Sequence, residues 1–128
     1  MVLLTSRNII LYTLLFSLAA NDVQSAETWC WSVAHRIPRQ TTSEESGYFS
    51  LVAGQDGKLY IGTAKYQENA YLVEFTPVSG RMKIVVDVNQ VIGSSNRDFA
   101  SQSKIHTRNQ VGRSGKIYFG SKQGYPRK

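Results

Sequence analysis

Two ten-residue stretches of this chain are nearly the same. One is GQDGKLYIGT, from Gly54 to Thr63, and the other is GRSGKIYFGS, from Gly112 to Ser121; five of their ten positions are identical. The constant offset of 58 residues indicates a structural repeat. Repeats of roughly 20 to 50 residues are typical of solenoids, propellers and arrays. The slightly longer spacing here leaves room for one long loop in each unit.

The amino terminus carries an export signal pattern. Arg7 precedes an apolar run from Ile9 to Ala20, and small residues follow at Ser25 and Ala26. This largely apolar run of 12 residues is shorter than the roughly 20 residues that a membrane span needs. The pattern therefore predicts a signal peptide over residues 1–26, a secreted or periplasmic protein, and no stable membrane span.

The positive charge is concentrated near the carboxyl terminus. The formal net charge is +6, and no aspartate or glutamate follows Asp98. The basic residues after that point are Lys104, Arg108, Arg113, Lys116, Lys122, Arg127 and Lys128. This excess predicts an acidic partner such as a uronic or sulfated polysaccharide. The alternative is that these are ordinary solvated strand and loop residues. No nucleic-acid-binding motif occurs, so nucleic acid is not an expected partner.

Four β-rich runs follow residue 47. The runs over 48–53 and 58–63 flank Asp56-Gly57, a dipeptide typical of tight hairpins. Two further runs, over 71–76 and 83–88, are separated by a turn that contains Pro77 and Gly80. The sequence therefore predicts an antiparallel meander of four strands, which is the unit of a β-propeller blade.

A second, shorter unit follows a polar connection over 89–103. Residues 104–111 and 116–121 repeat the first hairpin, with Ser114-Gly115 at the turn, and the chain stops seven residues after Ser121. The expected fold is all-β: a propeller fragment with one complete four-stranded blade and the first hairpin of the next. The corresponding divisions are an amino-terminal connecting segment (27–47), a first blade with its loop (48–103) and the start of a second blade (104–128). Within 27–47, the strand-like stretch 27–34 is a candidate to close a final blade. The alternative is a self-contained sandwich of about six strands.

The repeat also resembles a known family. The pattern D-G-K-L-Y-I-G-T, followed after a loop by Y-L-V-E-F-T-P-V-S-G-R, resembles repeats of bacterial quinoprotein-like and related secreted β-propellers. The resemblance implies an exported, apparently truncated propeller protein. The chain lacks the repeat tryptophan of quinone-binding blades, so no cofactor is expected. Residues 104–125 are similar, more loosely, to propeller polysaccharide lyases, whose active sites are built on histidine, tyrosine and arginine.

Antiparallel geometry predicts one group of candidate site residues. The start of 104–111 and the end of 116–121 should lie at the same rim. The side chains expected at this rim, or at the matching rim of the preceding unit, are His106, Arg108, Lys122, Tyr125, Lys65 and Tyr66. We assign candidate catalytic roles to His106, Arg108 and Tyr125, because a lyase acting on a uronate needs a cation for the carboxylate and a base or acid near the sugar carbon. Lys65, Tyr66 and Lys122 are candidate ligand-binding residues, and no metal motif occurs.

Two functions remain open from the sequence. The first is a non-catalytic or incomplete exported propeller whose rim binds a ligand or partner and which has no turnover of its own. The second is part of a carbohydrate-active propeller enzyme, a lyase for acidic polysaccharide. For His106, a role as a hydrogen-bonded structural residue remains an alternative to catalysis. Unpaired strand edges also predict self-association.

Overall fold

The computed structural model describes residues 29–43 and 50–124. The chain divides into two units, Met1–Val33 and Ala34–Lys128, and every helix and strand below belongs to the second. In the first unit only residues 29–33 are described, and they form no regular element. The predicted signal peptide and Tyr125 lie outside the described residues.

The main element is a four-stranded antiparallel sheet. Its strands are β1 (Leu51–Ala53), β2 (Leu59–Gly62), β3 (Tyr71–Thr76) and β4 (Arg81–Asp87), and they are hydrogen-bonded in chain order. The predicted β-rich fold and the antiparallel meander are therefore confirmed. This sheet does not close on itself within the described part of the chain.

Local chemistry fixes the turns and one irregularity of this sheet. At the β1–β2 turn, Asp56 Oδ1 accepts a hydrogen bond from Lys58 N at 3.2 Å, and Gly57 has a φ of +74°. Residues with a side chain rarely adopt that backbone conformation. Between β3 and β4, the register shifts after Leu72, so Val85 has no partner opposite it. This is the pattern of a β-bulge.

The connection after β4 differs from the predicted polar loop. It begins with a short helix α1 (Val88–Ile92), and a 3-10 turn follows at Asp98–Ala100. Asp87 caps α1 by accepting a hydrogen bond from Gln90 N, and Gly93 ends it with a φ of +66°. An aspartate before a helix and a glycine after it are ordinary capping residues. Five residues are too few to show a helical period, which is why the sequence did not predict α1.

The second hairpin is interrupted. Its short strands are β5 (Lys104–Ile105), β6 (Gln110–Val111), β7 (Ile117–Tyr118) and β8 (Ser121–Lys122). Strand β5 pairs with β8, and β6 pairs with β7. Between the two ladders, the backbone N–H groups of His106 and Thr107 both donate hydrogen bonds to the carbonyl oxygen of Gly120. The two long strands predicted over 104–111 and 116–121 are therefore each broken in two.

Despite this interruption, the turn ends of the two hairpins match. Val52 lies opposite Tyr60, and Gln110 lies opposite Tyr118, so the same offset of 58 residues relates both pairs. Gly57 and Gly115 have φ angles of +74° and +77°. A Cβ placed on Gly54 would lie 2.6 Å from the Tyr60 ring, and one on Gly112 would lie 2.7 Å from the Tyr118 ring. The sequence repeat thus has the same register, turn and tyrosine–glycine packing in both copies.

The second hairpin packs on one face of the four-stranded sheet. A buried cluster joins Leu72, Ala70 and Val88 to Ile105, which is 1% exposed. The partly buried side chains against this cluster are Tyr60, Val86, Ile117 and Phe119. Burial of this apolar surface is the main term that holds the hairpin to the sheet.

The opposite face of the sheet is covered in part by the amino-terminal segment of the second unit. Val73 and Phe75 are buried there, and the His35 ring lies 4.7 Å from the Phe75 ring. This segment contains one 3-10 turn, Arg39–Thr41, and no strand forms in residues 29–43. The strand-like stretch of the sequence therefore forms no strand where it is described, over residues 29–34.

Candidate anion-binding rim

One rim of the molecule brings together the strand ends predicted from the sequence. Lys104 lies directly opposite Lys122, and Ile105 lies opposite Ser121. His106 N donates a hydrogen bond to Gly120 O at 3.0 Å. At the level of the backbone, His106 and Lys122 are therefore near neighbours at this rim.

The first hairpin contributes to the same rim. An isolated bridge pairs Ala64 with Lys104, and Lys65 N donates to Ser103 O at 2.9 Å. Lys65 is thus one chain segment away from the Lys104–Lys122 pair. Its Nζ lies 2.6 Å from Glu68 Oε2, so part of its charge is neutralised locally. Tyr66 is buried, which leaves little of its ring surface for a ligand.

The candidate catalytic residues do not all lie at the β5–β8 pair. His106 and Arg108 lie in the interruption between β5 and β6, and both side chains are exposed. Within the described residues Arg108 makes no side-chain hydrogen bond or ion pair. The sequence placed both residues on one continuous strand, but the interruption removes Arg108 from the ladder that holds Lys122.

The two paired lysines of the rim differ in their exposure. Lys104 is only 7% exposed and stands opposite another lysine. Like charges directly opposite each other destabilise a sheet, and burial of a charged group carries a desolvation cost. Lys122, by contrast, is exposed, so it is the lysine of this pair that can reach a ligand at the rim.

A second polar cluster was not predicted from the sequence. Lys58 Nζ lies 3.0 Å from Glu74 Oε1 and 3.6 Å from Asp56 Oδ2. The Tyr60 hydroxyl donates to Asp56 Oδ2 at 2.9 Å. We call Asp56, Lys58, Tyr60 and Glu74 the carboxylate–tyrosine cluster. Alternation along β2 was the available signal, because residues two apart share one face of a strand. The contribution of Glu74 depends on the β2–β3 register.

These contacts shift the acid–base properties of the cluster. The hydrogen bond from Tyr60 lowers the pKa of the Asp56 carboxyl. The hydrogen bond with Glu74 raises the pKa of Lys58. Burial, and then the hydrogen bond to Asp56, raise the pKa of the Tyr60 phenol. These pKa shifts favour an ionised Asp56, a protonated Lys58 and a neutral Tyr60 phenol at neutral pH.

The second hairpin carries the same tyrosine and lysine without the carboxylates. Ser114 stands at the position of Asp56, and Lys116 and Tyr118 stand at the positions of Lys58 and Tyr60. Tyr118 is 56% exposed, whereas Tyr60 is half-buried. The first copy thus neutralises its own lysine, while the second copy presents its lysine and tyrosine to the surroundings.

A shallow pocket of about 160 Å³ lies beside the carboxylate–tyrosine cluster. It is lined by Glu74, Thr76, Arg81, Met82 and Lys83, which belong to β3 and β4. Pockets that enclose a small-molecule ligand usually measure about 300–1,000 Å³. This pocket is too small and too open to define a substrate site, so the rim remains the stronger candidate.

Comparisons of the chain with protein-family models, with curated proteins and with solved structures find no match. Within residues 29–43 and 50–124, no three histidine, cysteine or acidic side chains are grouped to hold a metal ion. In that same part of the chain, no helix is long and apolar enough to span a bilayer.

The raised pKa of Tyr60 can be measured directly. Ultraviolet absorbance follows the ionisation of tyrosines as the pH rises, and subtracting the titration of Tyr60→Phe from that of the wild type isolates Tyr60. We expect the pKa of Tyr60 to lie above the ordinary value of tyrosine, because burial disfavours phenolate. Asp56→Asn should lower that pKa, since it removes the carboxylate that accepts the hydroxyl proton. Neutral Tyr60 stabilises the fold below the unfolded pKa, and this stabilisation is lost as the pH rises through the folded pKa. An unshifted phenol in the wild type would contradict the described cluster.

Proposed function

We propose that this protein is an exported, propeller-type repeat protein whose rim binds an acidic polysaccharide. The single observation that carries the proposal is the pairing of Lys104 with Lys122 across β5 and β8, with Lys65 on the adjacent segment. Uronic acid residues carry carboxylates at regular spacing along a polymer. Lys122 is exposed and Lys65 is partly exposed, so these two ammonium groups on neighbouring chain segments can each contact a separate carboxylate.

The packing of the two hairpins supports a propeller-type arrangement. Ser50 Oγ lies 2.8 Å from Asn109 Oδ1, and Gln55 Nε2 donates to Gly112 O at 3.3 Å. These contacts place β1 and β6, which hold equivalent positions in the repeat, side by side and in the same direction. Neighbouring blades of a propeller stack their sheets around a central channel, and this arrangement is consistent with such a stack.

Binding without turnover is the form of the proposal that the geometry supports best. His106 is the candidate base, and its backbone N–H donates to Gly120 O beside the Lys104–Lys122 pair. Arg108 lies outside the short ladder, and Tyr125 lies outside the described residues. Efficient proton transfer needs the acid or base held within hydrogen-bond reach of the substrate. The rim supplies cations for binding more clearly than it supplies a positioned base.

The proposal is tested by binding of the full chain to polygalacturonate, measured by isothermal titration calorimetry. We expect Lys122→Gln to weaken binding by about two- to fivefold, the range of an exposed ion pair of about 0.5–1 kcal/mol. Added salt should weaken wild-type binding more than binding of the variant, because the lost contact is ionic. Dextran, which carries no charge, should not bind.

Lys83→Gln is the matched control. Lys83 is an exposed lysine in a strand, and it faces the small pocket rather than the rim. This variant should bind polygalacturonate as the wild type does. Equal weakening by both variants would indicate a general charge effect and would contradict a rim site. Failure of the wild type to bind would overturn the proposed ligand.

A further inference from the structure

The outer face of the second hairpin has an equivalent elsewhere in the molecule. Lys116, Tyr118 and Gly120 occupy the repeat positions of Lys58, Tyr60 and Gly62. We call Lys116, Tyr118 and Gly120 the head face. The register of β6 and β7 matches that of β1 and β2, so the equivalence holds in the backbone as well as in the sequence.

In the first copy this face is covered by the second hairpin. A Cβ placed on Gly62 would lie 2.6 Å from Ile105 Cγ2, so the Ile105 side chain fills the space that the glycine leaves. At Gly120 the three nearest atoms to such a Cβ all belong to the local residue Thr107. Within the described residues the head face thus lacks the cover that its equivalent has, and Tyr118 is correspondingly 56% exposed.

The repeat also shows what kind of surface covers this face. The second hairpin approaches the sheet with Ile117 and Phe119, whose repeat equivalents in the first hairpin are Leu59 and Ile61. Leu51 lies opposite Ile61 and is 56% exposed. We call Leu51, Leu59 and Ile61 the tail face. The tail face lies on the side of the sheet where the amino-terminal segment covers Val73 and Phe75, and it stays open at the β1 edge, where Leu51 is exposed. Each chain therefore carries an uncovered head face and an exposed apolar edge of the type that covers it.

We propose that a second copy of this chain docks its tail face on the head face. The contact is heterologous, since two different surfaces meet, and repeated contacts of this kind form rings or open filaments. Leu51 and Tyr118 are the central side chains, because both are large, partly apolar and more than half exposed. The inference uses the packing of the repeat and does not depend on the ligand of the rim.

The test uses one variant on each face and sedimentation velocity of the full chain over a range of concentrations. The wild type should form dimers and larger assemblies as the concentration rises. Tyr118→Lys disrupts the head face and Leu51→Lys disrupts the tail face. Each variant should therefore remain monomeric. An equimolar mixture of the two variants should form one-to-one dimers and nothing larger, because only one intact head and one intact tail can meet.

Two controls keep the result decisive. Val78→Lys changes a fully exposed valine in the β3–β4 turn and should assemble as the wild type does. Circular dichroism checks the fold of each variant, and Tyr118→Ser and Leu51→Ser replace any variant that does not fold. A wild type that stays monomeric, or a mixture that does not dimerise, overturns the proposal. Lys122→Gln should assemble normally, which separates this outcome from loss of polysaccharide binding.

Discussion

Ile105→Ala is expected to lower the free energy of unfolding by about 2–5 kcal/mol, the range measured for large-to-small changes in protein cores. Ile105 is 1% exposed and belongs to the cluster that joins the second hairpin to the sheet. Its side chain also fills the space over Gly62, so the truncation leaves a cavity that the neighbouring backbone cannot readily close. A domain of this size has a total stability of only about 5–15 kcal/mol.

Urea unfolding followed by circular dichroism measures this effect. Val91→Ala is the matched control, because Val91 is 72% exposed and its truncation removes little buried surface. The control should change the free energy of unfolding by less than about 0.5 kcal/mol. A similarly small change for Ile105→Ala would show that the second hairpin is not packed on the sheet as described.

The sequence predicted the local structure of the repeat better than its packing. Asp56-Gly57 and the alternating run after it specify a tight hairpin by themselves, since turn type and register are set by neighbouring residues. The second hairpin follows by its similarity to the first. The interruption after Ile105 was not predictable in this way, because it depends on Asn109 turning inward to reach Ser50 and Tyr60. Those partners are distant in the sequence.

For the candidate site too, the sequence predicted the local strand pairing but not the packing between distant segments. The pairing of Lys104 with Lys122 follows from the antiparallel hairpin, and the sequence placed both strand ends at one rim. The burial of Lys104 does not follow, since it depends on the segment around Ala64 that pairs with it. The carboxylate–tyrosine cluster was missed for a similar reason. Its member Glu74 is brought opposite Tyr60 only by the β2–β3 register.

The polar junction between the two hairpins carries the second large effect. Asn109 is 4% exposed, and its Nδ2 donates to Ser50 O and to Tyr60 O, both at 3.1 Å. Asn109→Ala removes these two hydrogen bonds and the one that Ser50 Oγ donates to Asn109 Oδ1, while Ser50 O keeps its bond from Gly62 N. We expect the free energy of unfolding to fall by about 2–4 kcal/mol, because each of the three lost hydrogen bonds contributes about 0.5–1.5 kcal/mol. Asn96→Ala, at an exposed asparagine, should have little effect.

Asn109→Asp distinguishes lost hydrogen bonds from lost volume, because it keeps the size of the side chain and removes the amide donors. The new carboxylate would face two carbonyl oxygens, so the folded state would favour its protonated form and raise its pKa. The stability of this variant should therefore be closest to that of the wild type below the unfolded pKa of about 4, and the deficit should grow as the pH rises above that value. Urea unfolding of the wild type and of Asn109→Asp measures the difference. The pH is varied from about one unit below that unfolded pKa to about four units above it. A deficit that does not change with pH would show that Asn109 is not enclosed by the carbonyl groups of Ser50 and Tyr60.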